Sequence, residues 1–598
     1  MNYTVKLKGL TQSFNKPTKT QKFKDNTLFI AFEKAVFGTV TINTKSLKGL
    51  EKITIHFGEK INRDGRIDRT PPGTIRYLCM EQTIDHSKEQ CRIFIPSDKR
   101  NTGSQAIKMP RHIGEVIPFR YVEIENGINI KESDIQQVFI HYPFNDTASS
   151  FECSNEVLNK VWDLCKYSIK ATTFCGIYVD GDRERIPYEG DAYINQLSHY
   201  CVDQEYDFAR YSHEYMIQNP TWCTEWHLHS VMMAWTDYLY SGKKTSLEKF
   251  YNELSIKTLS ALSREDGLIS TDEKWKKSNY EKLAPHYQNK IIHDNIRDVV
   301  DWPPGSFTKE GGTGERDDHE MLPINTVVNA FHCHTLLLMS NIAKALGMTN
   351  DTEKYDQRRQ RCLKSIHNKL FDKQNGLYID GEGSKHSSLH SNMFMLAFNL
   401  VPEDKRNRVI EFIKSRGMVC SVYGAQYLLD ALYLNDEGQF ALELMNAKHD
   451  RSWWNMIASG STMTLEAWDI KYKNNLDWNH AWGAAPANII PRFLLGIRPL
   501  EAGFKKVLIQ PQLGNLGFAK GKVPTPHGPI KIGVFNNIDS ACKINLTIPE
   551  NIYAKIILPY NIKLKGVVKL NGTIINTTSA QNHSIIDNLE PGSFTIEY

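Results

Sequence analysis

The sequence predicts a multidomain α and β protein, in which a central (α/α)6 helical toroid is flanked by N-terminal and C-terminal β-sandwich domains. Hydrophobic residues alternate with period two over 26–150, follow helical spacing to about residue 497, and alternate again from about residue 500. The helical part shows no repeat of fixed period, which argues against a solenoid and favours a closed ring of six hairpins. We place the domains at 1–150, 151–499 and 500–598.

The β-rich parts are predicted from short runs of β-branched and aromatic residues separated by Gly and Pro clusters. The N-terminal strands are expected over 36–42, 52–57, 91–95, 119–125 and 135–142. The C-terminal strands are expected over 506–511, 530–534, 542–548, 553–558 and 593–598.

The helical part begins where the spacing of apolar residues changes. Ser154 is the predicted N-cap of the first helix. A long helix is expected over 325–346, ending at Gly347, and the next follows over 351–370. These two helices predict an αα-hairpin.

Composition excludes several classes of protein. A net charge of +4 over 598 residues, without basic runs, indicates no nucleic-acid partner. The eleven cysteines lack metal-ligand spacing, so neither a disulfide framework nor a structural zinc site is indicated, and no metal ligand is assigned. No apolar stretch is long enough to span a membrane, and the first residues lack the core of a signal peptide. The sequence therefore predicts a soluble protein, cytoplasmic, or periplasmic if a leader has been removed; the oligomeric state is left open.

The segment 180–191 places two arginines among acidic residues and contains one proline. A helix with so many acids would repel itself and Pro187 would interrupt it, so a loop is predicted. Such a loop can hold a polar ligand and move protons. A solvated surface loop is the alternative.

A second group of polar residues lies near the end of the helical part. Glu466 stands between Leu465 and Trp468, and His480 follows in a tryptophan-rich run. A carboxylate in apolar surroundings suits a base or a proton donor, whereas a helix-terminal Glu capped by threonines is equally compatible with the pattern.

Two distant glutamates together suit glycoside hydrolysis. That reaction needs one carboxylic acid for the leaving oxygen and one carboxylate on the opposite face of the sugar. If the second group activates water, the two lie roughly 6.5–9.5 Å apart and the anomeric configuration inverts.

These features together resemble the inverting α-L-rhamnosidases of glycoside hydrolase family 78. The resemblance covers about 26–598 and rests on the order of the domains, the Arg183-Glu184-Arg185 loop, Thr464-Leu465-Glu466-Ala467-Trp468, Asn479-His480, Phe119-Arg120-Tyr121-Val122-Glu123 and Phe151-Glu152-Cys153-Ser154-Asn155. The resemblance implies that Glu184 is the general acid and Glu466 the general base. Asp180 or its rival Asp182, together with Asp191 and His480, would bind the sugar. It also implies a rhamnose-containing oligo- or polysaccharide as partner.

Further ligands are expected from acidic and aromatic residues elsewhere. Tryptophans can stack on the apolar face of a sugar, and acids or arginines can bind its hydroxyls. The candidates are Arg185, Tyr188, Glu225, Trp226, Asp301, Trp302, Trp468 and Trp482. For the pairs at 225–226 and 301–302, a structural role is an equal alternative.

Two other functions remain open at this point. Another (α/α)6 hydrolase or lyase, acting on fucosides or unsaturated uronides, would use the arginines to bind a substrate carboxylate. A carbohydrate-binding relative without turnover is the second, although the presence of both glutamates argues against it.

Overall fold

The computed structural model describes residues 3–127, 129–279, 296–305, 314–536, 542–559, 566–580 and 583–598. Within these ranges the chain forms a β-rich N-terminal part, a helical middle and a β-rich C-terminal part, in the order predicted. None of the helices described is both long and apolar enough to cross a membrane.

The N-terminal part forms one antiparallel sheet of eight strands. Its strands are β1 (Thr11–Asn15), β2 (Lys19–Lys22), β3 (Leu28–Asn43), β4 (Lys52–Gly58), β5 (Tyr77–Thr83), β6 (Gln90–Arg92), β7 (Ile117–Ile124) and β8 (Ile135–His141). The order is β1-β8-β3-β7-β4-β5, and β2 and β6 also pair with β3. The long strand β3 changes register between Ala31 and Val36, and such an irregularity bends a strand, so that β3 serves both halves of the sheet.

The helical middle begins one residue later than predicted. The side chain of Asn155, and not that of Ser154, accepts a hydrogen bond from the N–H of Leu158 and so caps the first helix. Ser154 Oγ instead accepts a hydrogen bond from Gly517 N, at 2.9 Å. The predicted cap was therefore wrong because this hydroxyl is used in a contact with the C-terminal part.

Fourteen α-helices lie in the described ranges. They are α1 (Glu156–Ala171), α2 (Glu189–Val202), α3 (Asp207–Gln218), α4 (Thr224–Ser241), α5 (Thr245–Lys257), α6 (Glu273–Asn279), α7 (Thr326–Ala345), α8 (Thr349–Lys369), α9 (Leu389–Ala397), α10 (Glu403–Arg416), α11 (Gly424–Tyr433), α12 (Gly438–Asn446), α13 (Trp453–Ala458) and α14 (Pro486–Ile489). The predicted hairpin is confirmed by α7 and α8, which pack together across a turn at Gly347.

The helices fall into two classes of burial. Six of them are buried over most of their length, namely α2, α4, α7, α9, α11 and α14. By contrast, α8 buries only Tyr355, Cys362 and Ile366. The six buried helices contact one another in the cyclic order α2, α4, α7, α9, α11, α14 and back to α2. A helix that is buried on all sides must be enclosed by other parts of the chain, and the less buried helices are available to pack around these six.

The C-terminal part contains two sheets, whose inner residues belong to one buried cluster with the helices. The five-stranded sheet has the order β12-β13-β17-β21-β20 and the seven-stranded sheet β19-β18-β22-β16-β15-β14-β9. A separate antiparallel ribbon of two strands, β10 and β11, lies between α8 and α9 in the helical middle. The strands are β9 (Ser150–Cys153), β10 (Phe371–Asp372), β11 (Leu377–Tyr378), β12 (Ile497–Pro499), β13 (Lys506–Ile509), β14 (Phe518–Val523), β15 (Ile530–Phe535), β16 (Lys543–Ile548), β17 (Tyr553–Pro559), β18 (Val568–Leu570), β19 (Thr573–Ile575), β20 (Thr578–Ala580), β21 (His583–Leu589) and β22 (Gly592–Glu597).

Both β-rich parts are joined to the helical middle through buried contacts. Strand β9, which precedes α1, is an edge strand of the C-terminal seven-stranded sheet and pairs with β14. On the other side, the ring of Phe37 in β3 stacks on that of Phe174, with centroids 3.7 Å apart. Phe174 immediately precedes the acidic loop, so the N-terminal sheet helps fix the position of that loop.

A close approach of two main chains at Gly496 gives a first prediction. Gly496 has φ +78, and an added Cβ would lie 2.2 Å from the carbonyl carbon of Gln510. Gly347 has φ +76, with nothing within 4 Å of its Cβ position. We expect Gly347→Ala to cost about 1 kcal/mol, for its φ alone, and Gly496→Ala to cost at least about 3 kcal/mol because the main chains must separate. Thermal unfolding midpoints measure both, and equal losses would contradict the close approach.

Candidate active site

The acidic segment is a loop only as far as Tyr188. Helix α2 begins at Glu189, so Glu189 and Asp191 lie in its first turn. The prediction of a loop over all of 180–191 was therefore wrong at its end. The physical reason is that acids just after the start of a helix interact favourably with its unpaired N–H groups and its dipole, and only further inside would they repel one another.

Glu466 also lies in a loop, between α13 and α14, so the helix-terminal alternative is wrong. Its main chain is held on both sides: its N–H donates to Asp477 O at 3.1 Å, and Trp482 Nε1 donates to its carbonyl oxygen at 2.9 Å. The loop therefore carries Glu466 on a fixed main chain.

The two loops, almost three hundred residues apart in the chain, meet directly. The N–H of Asp182 donates to Asn479 Oδ1 at 2.9 Å, and His480 Nε2 lies 2.6 Å from Asp191 Oδ1. Burial lowers the pKa of His480, but the hydrogen bond and charge of Asp191 outweigh burial and raise it. Two of the predicted sugar ligands, Asp191 and His480, thus form one charged pair.

Glu184 and Glu466 face each other across the guanidinium of Arg183. Arg183 Nη1 and Nη2 donate to the two oxygens of Glu466 at 2.7 and 2.9 Å, and its Nε donates to Glu184 Oε1 at 3.4 Å. Because both carboxylates bond one planar guanidinium, their nearest oxygens lie no more than about 9 Å apart. The Glu184 side chain is 39% exposed and that of Glu466 only 2%, so the gap between them opens on the Glu184 side.

The charges around Glu466 favour its ionised form. Burial raises the pKa of Glu466, but the charge and hydrogen bonds of Arg183, followed by His480 and Lys473, outweigh burial and lower the pKa below its usual range. The neighbouring Asp477 is affected in the opposite direction, since burial and the Glu466 charge raise its pKa to about 7. The site therefore places a carboxylate that favours its ionised form beside one whose affinity for protons is raised.

Glu466, Asp477 and His480 also present possible metal-ligand atoms within 4.8 Å of one another. Arg183 and Lys473 contact the same Glu466 carboxylate, at 2.7 and 3.3 Å. A cation would have to displace both, so these donors fit an ion-pair network better than a metal.

Asp180 keeps one oxygen free for a ligand. Its Oδ1 accepts a hydrogen bond from Ile186 N, whereas its buried Oδ2 has no hydrogen-bond partner among the described residues. Burial raises the pKa of Asp180 well above its ordinary value. A buried oxygen of this kind suits a substrate hydroxyl.

Asp182 and Arg185 instead face the N-terminal sheet. Asp182 lies between Arg76 Nε and Arg185 Nη2, at 2.5 and 3.0 Å, and Arg185 also pairs with Glu115. All of these groups are buried or nearly so. Both side chains join the acidic loop to the N-terminal part, and these ion pairs occupy the groups that were expected to bind the substrate.

Aromatic rings form a wall that starts at Glu184. Tyr188 donates its hydroxyl to Glu184 Oε2 at 2.9 Å, and its ring lies 5.2 Å from that of Trp226. Trp222 follows at 5.8 Å from Trp226, and Trp302 at 6.1 Å from Trp222. Trp222, which is not among the predicted ligands, and Trp302 are half-buried, so their rings remain partly open for stacking on a sugar.

Glu225 and Asp301 have structural partners. Glu225 accepts hydrogen bonds from the N–H groups of Val299 and Val300 and so holds the segment that carries Trp302. Asp301 is fully buried, with His390 Nε2 at 2.7 Å and Ser421 N at 2.9 Å. Glu225 and Asp301 therefore have the structural role that was the equal alternative, and neither presents a free oxygen to the gap between Glu184 and Glu466.

The two late tryptophans are also internal. Trp468 is fully buried, donates to Cys420 O at 2.8 Å and packs edge-on against Trp453. Trp482 is buried beside His480 and holds the Glu466 carbonyl. Trp468 is therefore a core residue, and Trp482 fixes the main chain at Glu466.

The N-terminal sheet contributes residues that the sequence did not indicate. Thr74 donates its hydroxyl to the carboxylate of Asp477, and Glu59 accepts from Asn479 Nδ2 at 3.1 Å. Thr74 follows the Pro71-Pro72-Gly73 turn, which marks only a break between strands. No local pattern relates that turn to a loop four hundred residues away.

The fold and these two loops match known glycosidase domains. Residues 146–494 match the bacterial alpha-L-rhamnosidase 6 hairpin glycosidase domain, which defines the class as a six-hairpin glycosidase. Residues 496–572 match the bacterial alpha-L-rhamnosidase C-terminal domain. Since the first match alone covers more than half of the chain, the chain belongs to the bacterial alpha-L-rhamnosidase family.

Individual relatives agree with this assignment. An alpha-L-rhamnosidase of Alteromonas sp. (strain LOR) is 24% identical over 78% of this chain and 50% of its own length, and one of Formosa agariphila is 23% identical over 78% and 49%. The chain thus spans about half the length of these curated relatives. The alpha-L-rhamnosidase structure from Dictyoglumus thermophilum superimposes with TM-score 0.76 at 20% identity, over 98% of this chain and 63% of that one. The Streptomyces avermitilis alpha-L-rhamnosidase structure complexed with L-rhamnose superimposes with TM-score 0.74 at 16% identity, over 98% of this chain and 53% of that one. At these identities the structures show the fold alone.

The different partners of Asp180 and Asp182 give a second prediction. We expect Asp182→Asn to lower the free energy of unfolding by about 3 kcal/mol, because it leaves Arg76 and Arg185 buried without their shared carboxylate. Asp180→Asn keeps the size of the side chain and should cost less than about 1 kcal/mol. Thermal unfolding of both variants at neutral pH measures the difference. A loss at Asp180 as large as that at Asp182 would show that Asp180 is also structural.

Proposed function

We propose that the protein is an exo-acting α-L-rhamnosidase that removes terminal α-L-rhamnose from a glycoside or polysaccharide by an inverting, single-displacement mechanism. The observation that carries the proposal is the pair Glu184 and Glu466, which face each other across one guanidinium. The upper limit of about 9 Å on the separation of their nearest oxygens lies inside the roughly 6.5–9.5 Å range of inverting enzymes, and the anomeric configuration of the first product tests the single displacement.

In this mechanism the two glutamates have opposite roles. Glu184, on the open side and hydrogen-bonded to Tyr188, donates its proton to the glycosidic oxygen as the C1–O bond breaks. Glu466, held ionised by its cationic neighbours, takes a proton from the water that attacks C1 from the other face. The products are rhamnose of inverted configuration and the free alcohol, and no organic cofactor takes part.

The sugar is proposed to lie between the charged groups and the aromatic wall. Asp180 Oδ2 and the pair Asp191–His480 would hold ring hydroxyls. Tyr188, Trp226 and Trp302 would face the apolar side of the ring and its methyl group.

The domain arrangement supports this site. We propose that the cycle of six buried helices and the helices around it form an (α/α)6 toroid over 151–499, flanked by β-sandwich domains over 1–150 and 500–598. The contacts of Thr74 and Glu59 with the loop of Glu466 support a role for the N-terminal domain in forming the pocket wall.

The alternative functions are less compatible with these contacts. A uronide enzyme needs a free cation for the substrate carboxylate, yet Arg183 is bonded to Glu466, and Arg185 to Asp182 and Glu115. A carbohydrate-binding protein without turnover does not need the ionised, buried carboxylate of Glu466 opposite the exposed carboxylate of Glu184.

A third prediction separates the acid from the base. Glu184→Gln should lower kcat/KM by about 10²–10⁴-fold on a rhamnoside with a poor leaving group, and much less on the dinitrophenyl rhamnoside, whose leaving group needs no proton. Glu466→Gln should reduce both rates by a similar factor, because both substrates need the activated water.

The surface variant Glu156→Gln is the matched control, and proton NMR of the wild-type reaction should show β-L-rhamnose first. Initial release of α-L-rhamnose would refute the single displacement. Failure of the wild type on all α-L-rhamnosides would refute the proposed substrate.

A further inference from the structure

Arg183 occupies the space in which the substrate would have to lie. Its guanidinium bonds both oxygens of Glu466 and one oxygen of Glu184, and Nη1 also donates to Asn475 O at 2.9 Å. A sugar ring and a water molecule must fit between the two glutamates during the reaction. The guanidinium and the substrate therefore compete for one gap.

The carboxylate of Glu466 has no spare acceptor position in this arrangement. Two carboxylate oxygens offer about four lone-pair positions. Arg183 takes two of them, and Lys473 Nζ and the N–H of Asp477 lie 3.3 Å from Oε1 and Oε2. A general base must accept a hydrogen bond from the water it deprotonates, so one of these donors has to leave.

Arg183 is the donor best placed to leave. The N–H of Asp477 belongs to a fixed main chain, and Lys473 is buried and held by Asn475. Arg183 is the most exposed of the three, at 12%, and it already contacts Glu184 on the open side of the gap.

We propose that Arg183 is a positioning residue, which holds the base Glu466 ionised while the site is empty and withdraws from the gap when the sugar binds. This inference rests on the proposed function. As Arg183 withdraws, the carboxylate loses a cationic partner and its affinity for protons rises at the point where it takes the proton of the water. A lone pair of that water oxygen forms the new C1–O bond, the O–H bonding electrons stay on the oxygen as Glu466 takes the proton, and the Glu184 proton leaves with the alcohol.

The other charges around Glu466 enter any test by pH. Lys473, Asp477 and His480 face the carboxylate from its own loop, and Asp191, which is paired with His480, lies at the start of α2. Glu184 lies at the far end of Arg183. Arg183 is the one group among these that contacts both glutamates.

The kinetic test compares Arg183→Gln with Lys473→Gln, which removes a cation from the same oxygen of Glu466 without opening the gap. Loss of the guanidinium leaves burial opposed only by His480 and Lys473, so the acidic limb of kcat/KM should move upward by about one to three pH units in Arg183→Gln and by less in Lys473→Gln. Arg183→Lys should move the acidic limb of kcat/KM part of the way back, since lysine keeps the positive charge but cannot bond both oxygens of Glu466 as the planar guanidinium does. An acidic limb that stays in place in Arg183→Gln would overturn the proposal.

Binding of the product tests the withdrawal itself. Because the sugar must displace the guanidinium, the Kd for free L-rhamnose should stay the same or fall in Arg183→Gln, while kcat/KM falls about tenfold or more at a pH below the shifted acidic limb. A Kd that rises tenfold, with kcat unchanged, would make Arg183 a sugar ligand and would also overturn the proposal.

A stability measurement separates failure of this inference from failure of the proposed function. In the wild type the lowered pKa of Glu466 stabilises the fold above the ordinary glutamate pKa, and this stability is lost as the pH falls through the folded pKa. In Arg183→Gln the buried carboxylate is instead a cost, which disappears as it is protonated. The Tm difference between wild type and Arg183→Gln should therefore be larger at pH 7 than at pH 4, and should lose this pH dependence in a Glu466→Gln background.

If the wild type cleaves no α-L-rhamnoside, the proposed function fails, yet the Tm comparison still decides whether Arg183 holds Glu466 ionised. A Tm difference that is the same at both pH values would show that it does not.

Discussion

The buried ion pair between Arg183 and Glu466 is the interaction on which the site depends. It joins two loops that arise at opposite ends of the helical middle, and it compensates a carboxylate that burial would otherwise neutralise. A buried pair of this kind adds little net stability, because removing both charges from water costs about as much as their attraction returns. Removal of one partner, by contrast, would leave the other charge buried without compensation, so the pair ties the two loops together in the empty site.

The neighbouring contacts constrain the same junction from other directions. His480 and Asp191 join the loop of Glu466 to the start of α2, while Asp182 joins the acidic loop to Arg76 in the N-terminal part. Thr74 reaches the same loop through Asp477. The N-terminal part thus contacts both of the loops that carry the candidate site.

Sequence patterns predicted the elements well wherever burial alone decides the structure. The strands around β3 and the hairpin of α7 and α8 were predicted because alternating and helical spacing reflect which side of an element is apolar. The errors occurred where a polar side chain has a distant partner. Ser154 was expected to cap α1, but its hydroxyl bonds Gly517, and Asn155 takes the cap. For Glu225 the sequence left a sugar contact and a structural role equally open, and the N–H groups of Val299 and Val300 bond its oxygens.

By itself, the sequence determined the order of β-rich, helical and β-rich parts, and it indicated Glu466 by its apolar neighbours and the loop of Glu184 by its many acids. The choice of Glu184 within that loop came from the family resemblance. The tertiary structure alone decided that Asp180 keeps a free oxygen while Asp182 does not, that Trp468 is core, and that Arg183 lies between the glutamates. The physical reason is the distance along the chain over which each kind of interaction acts. Periodicity reports the local balance of apolar and polar faces, whereas the partner of a carboxylate or a guanidinium is chosen across hundreds of residues by which buried charges must be neutralised.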